Sequence, residues 1–145
     1  MNLFVAAYAR TGTTFLAKVL VEKLGFYSSP ESHFLFQIYR KIKDNGAITN
    51  DDLHTLLSRH FKFQVWDIAP NLPEVLSRDK FVAFYQELLA CYNKVSIEQV
   101  AANVTLDHTP ENMINQPFIQ YFFPDSLTLR LIRDPRAVFA SAKKS

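Results

Sequence analysis

The sequence predicts an α/β fold with a mainly parallel sheet flanked by helices. Short apolar runs that suit buried strands occur at residues 3–8, 104–107 and 127–132. Segments with the length and apolar periodicity of helices lie between these runs. Strands that alternate with helices form βαβ units, whose neighbouring strands run parallel. The length of 145 residues, without repeats or linker-like stretches, predicts a single domain over residues 1–145.

The N-terminal unit is a strand followed by a helix. Residues 3–8 form a continuous apolar run, as expected of a strand buried on both faces. A helix is predicted over 13–24, and Gly25 ends it. The apolar residues of this helix share one stripe, which consists of Phe15, Leu16, Val19, Leu20 and Leu24.

The middle of the chain is predicted to be mostly helical. Apolar residues at a spacing of four predict a helix over 31–43, and an aromatic-rich stripe predicts another over 78–92 with Ser77 as its cap. Both could form an acceptor pocket, although such stripes are more often core. Apolar and polar residues alternate over 61–66, which predicts a short strand.

The C-terminal part repeats the strand-then-helix pattern. A strand at 104–107 ends at His108-Thr109-Pro110, and Pro110 can open a helix that runs to about residue 122. A strand at 127–132 precedes a last helix, which Asp134 caps and which has Pro135 in its first turn. The sequence stops inside this helix, so we expect it to cover the N-terminal portion of a longer domain.

Composition excludes several classes of function. A net charge of only +2 without a basic stripe argues against a nucleic-acid-binding face. The four His and the single Cys have no recognisable metal-ligand spacing, so no metal site is predicted. Cys91 lies in an apolar helical pattern and is interpreted as a buried, inert thiol. No signal peptide or membrane span is apparent, which predicts a cytoplasmic protein.

An anion-binding loop is predicted between the first strand and the first helix. In Arg10-Thr11-Gly12-Thr13-Thr14, the glycine permits a tight turn, the threonines offer hydroxyls and the arginine supplies a cation. Backbone N–H groups at a helix start are unpaired, and the helix dipole favours an anion there. A capped helix with a surface arginine is the structural alternative.

This loop departs from the phosphate loop of nucleoside triphosphatases. That loop requires Gly, four residues and then Gly-Lys-Ser/Thr, so that the lysine reaches the phosphates and the hydroxyl holds magnesium. Thr13 stands where the lysine should be, and the first glycine is absent. A magnesium-dependent kinase or nucleoside triphosphatase is therefore the disfavoured alternative. A non-catalytic nucleotide-binding remnant is the other alternative.

The loop instead resembles the 5′-phosphosulfate loop of sulfotransferases, whose pattern is Lys or Arg, Ser or Thr, then Gly-Thr-Thr. All five positions of residues 10–14 agree. Residues 131–141 resemble the family's 3′-phosphate motif, in which an Arg at a strand end and a Ser eight residues later bind that phosphate. Arg133 and Ser141 have this spacing.

The resemblance implies a fold like that of P-loop nucleoside triphosphatases and a metal-free sulfotransferase. Its donor would be 3′-phosphoadenosine 5′-phosphosulfate (PAPS), and its product adenosine 3′,5′-bisphosphate (PAP). Its acceptor would be a small molecule, a carbohydrate or a peptide. The cofactor-binding residues implied are Arg10, Thr11, Gly12, Thr13, Thr14, Arg133 and Ser141. We expect Arg10 and Arg133 to face one cavity.

The resemblance also implies catalytic roles. Arg10 would stabilise the leaving phosphate. Glu31 would be the base, because related sulfotransferases carry a Glu 21 positions after the basic residue of the loop. His33 and His108 are rival bases. The structural alternatives are a dipole-favoured acid at a helix start for Glu31 and a structural His at position 108, where family members usually have Lys.

Overall fold

The computed structural model describes residues 1–144, so the last residue of the predicted domain, 145, lies outside the described residues. Strands and helices alternate along the chain. The strands are β1 Asn2–Ala7, β2 Tyr27–Ser28, β3 Ala47–Thr49, β4 Val75–Ser77, β5 Thr105–Asp107 and β6 Leu127–Leu131. The helices are α1 Thr13–Leu24, α2 Phe34–Asn45, α3 Asn50–Arg59, α4 Phe61–Trp66, α5 Phe81–Asn93, α6 Ile97–Ala101, α7 Gln116–Phe122 and α8 Pro135–Lys143.

The main sheet is parallel, which confirms the predicted fold class. Its four strands are ordered β2-β5-β1-β6, and every adjacent pair runs in the same direction. β1 is central, and its last four residues are buried, as expected for a strand covered on both faces. The carboxyl ends of β1, β5 and β6 therefore meet at one edge of the sheet, where ligands of such sheets bind.

The middle of the chain forms a mostly helical region beside this sheet. It includes a two-stranded antiparallel sheet of β3 and β4, which the sequence analysis did not predict. Its interior is rich in aromatic rings: Phe81 and Phe122 stack with centroids 3.6 Å apart, and Phe34 packs edge-on against Phe63 and Trp66. Most of the aromatic stripe residues of the two predicted middle helices thus belong to the core.

Four predicted elements differ from the structure. The helix predicted over 78–92 with Ser77 as its cap begins only at Phe81, after a 3₁₀ turn at Arg78–Lys80, and Lys80 stands at its N-cap. The strand predicted over 61–66 is wrong, because these residues form α4: Phe63 and Trp66 are buried one helical turn apart, while Phe61 and Val65 are exposed. The helix predicted from residue 31 begins only at Phe34. The helix predicted over 110–122 is divided into a 3₁₀ turn, Pro110–Met113, and α7, in which a second proline near the start opens a new helix.

The predicted stripe of α1 is only partly buried. Leu16 and Leu20 pack beside Val5, but Phe15 is 74% exposed and Leu24 is 60% exposed. Gly25 ends the helix at a positive φ of 68°, as predicted. The sheet therefore contacts a narrower face of α1 than the sequence predicted, and Phe15 is free for another role.

Two further predictions concern residues away from the sheet. Cys91 is half-buried, where full burial was predicted; burial, with Glu87 nearby, raises the pKa of its thiol. The thiol thus favours its protonated, unreactive form. Within residues 1–144, no helix has both the length and the apolar character needed to cross a membrane.

Candidate active site at the edge of the parallel sheet

The loop between β1 and α1 has the geometry of an anion cradle. Gly12, at the N-cap of α1, has a φ of 106°, a conformation that favours glycine. No side chain among residues 1–144 caps the helix, so its first-turn N–H groups are open to an anion. Arg10 also has a positive φ, 68°, which is uncommon for a residue with a side chain and concentrates at functional sites.

Two hydrogen bonds join this loop to the segment that follows β6. Arg133 Nη1 donates to the Arg10 carbonyl oxygen at 3.0 Å, and Arg10 Nη2 donates to the Ser141 carbonyl oxygen at 3.3 Å. Asp134 caps α8 as predicted, by accepting from the Arg136 N–H. The two sequence motifs, at opposite ends of the chain, are therefore in direct contact.

Both arginines line one cavity of about 350 Å³ at this edge of the sheet. The remaining lining comes from the loop, the start of α1 and two neighbouring segments: Ala9, Gly12, Thr13, Thr14, Phe15, Glu31, Pro110 and Ser141. Thr11 does not line it; its hydroxyl donates to the Tyr8 carbonyl oxygen and stabilises the turn. Arg10 and Arg133 thus share a cavity, as expected from the sequence.

Glu31 reaches this cavity from the loop before α2. Its Oε2 lies 2.9 Å from His33 Nε2 and 3.1 Å from Lys62 Nζ, whereas no hydrogen bond or ion pair to Oε1 is found within residues 1–144. Burial raises the pKa of Glu31, but the hydrogen bonds from His33 and Lys62 outweigh burial, so the net pKa is lowered. Glu31 is accordingly a carboxylate near neutral pH.

His33 lies between two carboxylates. Its Nε2 faces Glu31, and its Nδ1 lies 2.9 Å from Glu111 Oε2. The predicted helix over 31–43 would have pointed these two side chains apart, but α2 begins three residues after Glu31, so residues 31 and 33 lie in the loop before it. His33 therefore orients the Glu31 carboxylate directly.

A buried hydrogen-bond network holds the loop that carries Glu31. Asp107, at the end of β5, accepts from the Ser32 hydroxyl, from the Thr109 N–H at 2.9 Å and from Asn112 Nδ2 at 2.8 Å. The Ser32 N–H donates to Thr109 Oγ1 at 2.8 Å. All four residues are at most 2% exposed. Asn112 Oδ1 is buried without a hydrogen-bond partner within residues 1–144, but the other side-chain polar atoms of the network are paired. Paired polar groups in such a dry setting favour one conformation, which holds the loop that carries residue 31.

Comparison with known protein families agrees with this arrangement. The model of the sulfotransferase family matches residues 2–145. The chain belongs to the sulfotransferase family. Searches of curated proteins and of solved structures returned no significant match. In this sulfotransferase domain, the charged residues of the candidate site lie at one edge of the parallel sheet, beside the glycine turn that follows the central strand.

His108 lies apart from the cavity shared by the arginines. It follows β5, is 8% exposed and lines a second cavity of about 340 Å³ with residues of α1, the 28–30 loop and the end of α5. Its Nδ1 is buried and has no hydrogen-bond partner among residues 1–144. Thr14 lines both cavities. Of the two histidines, the structure brings His33 to Glu31 and does not bring His108 there.

Four residues of the candidate site were not singled out as site residues by the sequence. Lys62 and Trp66 contact Glu31 from α4, Glu111 contacts His33, and Phe15 lines the cavity. The misassigned strand concealed Lys62 and Trp66, and the apolar stripe assigned Phe15 to the core. No group of three or more His, Cys, Asp or Glu within residues 1–144 could hold a metal ion.

Proposed function

We propose that this sulfotransferase domain transfers a sulfuryl group from PAPS to a hydroxyl or amine acceptor. The supporting observation is the convergence of Arg10 and Arg133 on one cavity beside the Gly12 turn. A donor with phosphates at both ends of a ribose needs two separate anion sites. The two motifs supply one each, on neighbouring parallel strands β1 and β6.

Each part of the donor has a matching set of side chains. The first-turn N–H groups and the residues Arg10, Thr13 and Thr14 suit the 5′-phosphosulfate. Arg133 and Ser141 suit the 3′-phosphate, since a guanidinium gives directed, charge-assisted bonds to phosphate oxygens. In this proposal Thr11 shapes the turn, because its hydroxyl already bonds Tyr8.

Phe15 is our candidate for the adenine contact. It is 74% exposed, it lines the cavity, and it stands immediately after the loop. Exposed aromatic rings next to anion sites stack on bases, and stacking contributes about 1–3 kcal/mol per base.

The catalytic steps follow from the groups that line the cavity. Glu31 accepts the acceptor's proton on Oε1, the oxygen without a protein partner, as the acceptor atom bonds to sulfur. The sulfur–oxygen bond to the phosphate breaks, and Arg10 stabilises the negative charge that collects on the departing phosphate. Arg10 keeps its proton, because a guanidinium does not deprotonate in proteins.

Ligand preference tests the proposal. Isothermal titration calorimetry should give tighter binding for PAP without metal than for ATP with magnesium, since only PAP places a phosphate at the 3′ position. Transfer of labelled sulfate from PAPS to a panel of hydroxyl and amine acceptors then tests turnover. A preference for ATP with magnesium would refute the proposal. Binding of PAP with no transfer to any acceptor would indicate a non-catalytic remnant.

A further inference from the structure

Helix α4 contacts the proposed base at two points. Lys62 Nζ lies 3.1 Å from Glu31 Oε2, and the indole N–H of Trp66 donates to the Glu31 carbonyl oxygen at 3.3 Å. Trp66 is 2% exposed and packs against Phe34, so α4 is anchored in the core. A rigidly held helix thus fixes both the backbone and the carboxylate of residue 31.

The two oxygens of the Glu31 carboxylate are placed in different settings. Lys62 and His33 both contact Oε2, whereas Oε1 has no hydrogen-bonding or ion-pair neighbour within the described part of the chain. A carboxylate pinned through one oxygen presents the other in a fixed direction. Proton transfer requires such a group within hydrogen-bond reach of the acceptor, and pre-organisation of this kind is what supporting residues supply.

We propose that Lys62 is a positioning residue for proton removal, holding Oε2 of Glu31 so that Oε1 receives the acceptor's proton. The inference rests on the proposed function, in which Glu31 is the base. Lys62 does not line the donor cavity, so it acts through Glu31 and leaves donor binding unaffected. Its contact also keeps Glu31 ionised at lower pH.

Several charged groups bear on Glu31, and Lys62 is one of two that bond its carboxylate. His33 comes from the same loop, and the two arginines lie across the cavity. Glu111 acts through His33, and His60 caps α4 beside Lys62. The groups to consider in any pH dependence are therefore His33, Lys62, Arg10, Arg133, Glu111 and His60.

The variant Lys62→Met tests this role, with Lys18→Met as the matched control. Lys18 pairs with Glu22 at 3.8 Å on the outside of α1, so its loss removes an equivalent charge away from Glu31. Removing Lys62 takes away a contact that lowers the pKa of Glu31, so that pKa rises. The base form then disappears at a higher pH, and the acidic limb of kcat/KM moves upward.

We expect kcat/KM on the acidic limb to fall roughly two- to fivefold in Lys62→Met, the range for a partly exposed ion pair. The Kd for PAP should stay unchanged, and Lys62→Arg should restore the profile. Carbon NMR titration of the Glu31 carboxyl gives a second readout that needs no turnover. If Lys62→Met kept the wild-type titration of Glu31 and the wild-type pH profile, the proposed role of Lys62 would be refuted. The proposed use of PAPS would not be affected by that result. A preference for ATP with magnesium would instead refute the proposed function, while the titration would still decide whether Lys62 positions Glu31.

Discussion

Replacing Arg133 by alanine removes one of the two cations proposed for the donor. Arg133 follows β6 and lines the cavity, and one of its guanidinium N–H groups donates to the Arg10 carbonyl oxygen. The guanidinium has five N–H groups in all, so four remain available to a 3′-phosphate. The substitution therefore removes the phosphate contact and also one link that holds the Arg10 loop to the last helix.

The magnitude follows from the kind of bond that is lost. Hydrogen bonds to charged groups contribute about 1.5–3 kcal/mol. Arg133 is exposed, so solvent screening favours the middle of that range, about 2 kcal/mol or roughly a 30-fold increase in the Kd for PAP. The effect should shrink at high salt, because the interaction is between exposed charges.

Calorimetry with PAP measures this change, and Arg136→Ala is its control. Arg136 lies three residues away and is just as exposed, but its guanidinium binds Asp134 and does not line the cavity. We expect its loss to change the Kd for PAP by less than about twofold. Equal effects of the two substitutions would refute a specific phosphate contact at Arg133, and an unchanged Kd in Arg133→Ala would remove it from the site.

Two further outcomes are expected. Glu31→Gln should lower kcat by roughly a hundredfold, since the amide cannot accept a proton, while the Kd for PAP stays near that of the wild type; full activity would move the base to His33 or His108. Asp107→Ala removes the carboxylate that accepts three buried hydrogen bonds and should lower the free energy of unfolding by about 3 kcal/mol in urea denaturation. Ser32 Oγ can still bond Thr109 Oγ1 and Asn112 Nδ2 still donates to the Val5 carbonyl oxygen, so the group left unpaired among residues 1–144 is the Thr109 N–H. Loss of less than about 1 kcal/mol, the effect expected for the exposed Asp44→Ala, would contradict the importance of that network.

The sequence predicted the two ends of the chain well, because their signals are local. The apolar run of β1, the glycine that ends α1 and the Asp134 cap each act within a few residues. The meeting of Arg10 with Arg133 could also be anticipated. Both follow strands of one parallel sheet, and the carboxyl ends of such strands share an edge.

The middle of the chain was less predictable for physical reasons. A segment of only six residues can fit both the spacing of two typical of a strand and the spacing of three typical of a helix. Phe63 and Val65 have the strand spacing, and Phe63 and Trp66 have the helix spacing. Tertiary packing favours the helix, in which both Phe63 and Trp66 pack against Phe34. The helix places Lys62 beside Glu31, and no spacing in the sequence predicts that contact.

The strand order has a consequence for how the domain is made. The central strand, β1, is synthesised before either of its partners, Thr105–Asp107 and Leu127–Leu131. No segment before residue 105 pairs with it in the described sheet, so this apolar strand stays without sheet neighbours until residues 105–131 have left the ribosome. Contacts this distant along the chain slow folding and leave an aggregation-prone segment exposed. The helical middle region can therefore collapse before this sheet, with the candidate site at its edge, is complete.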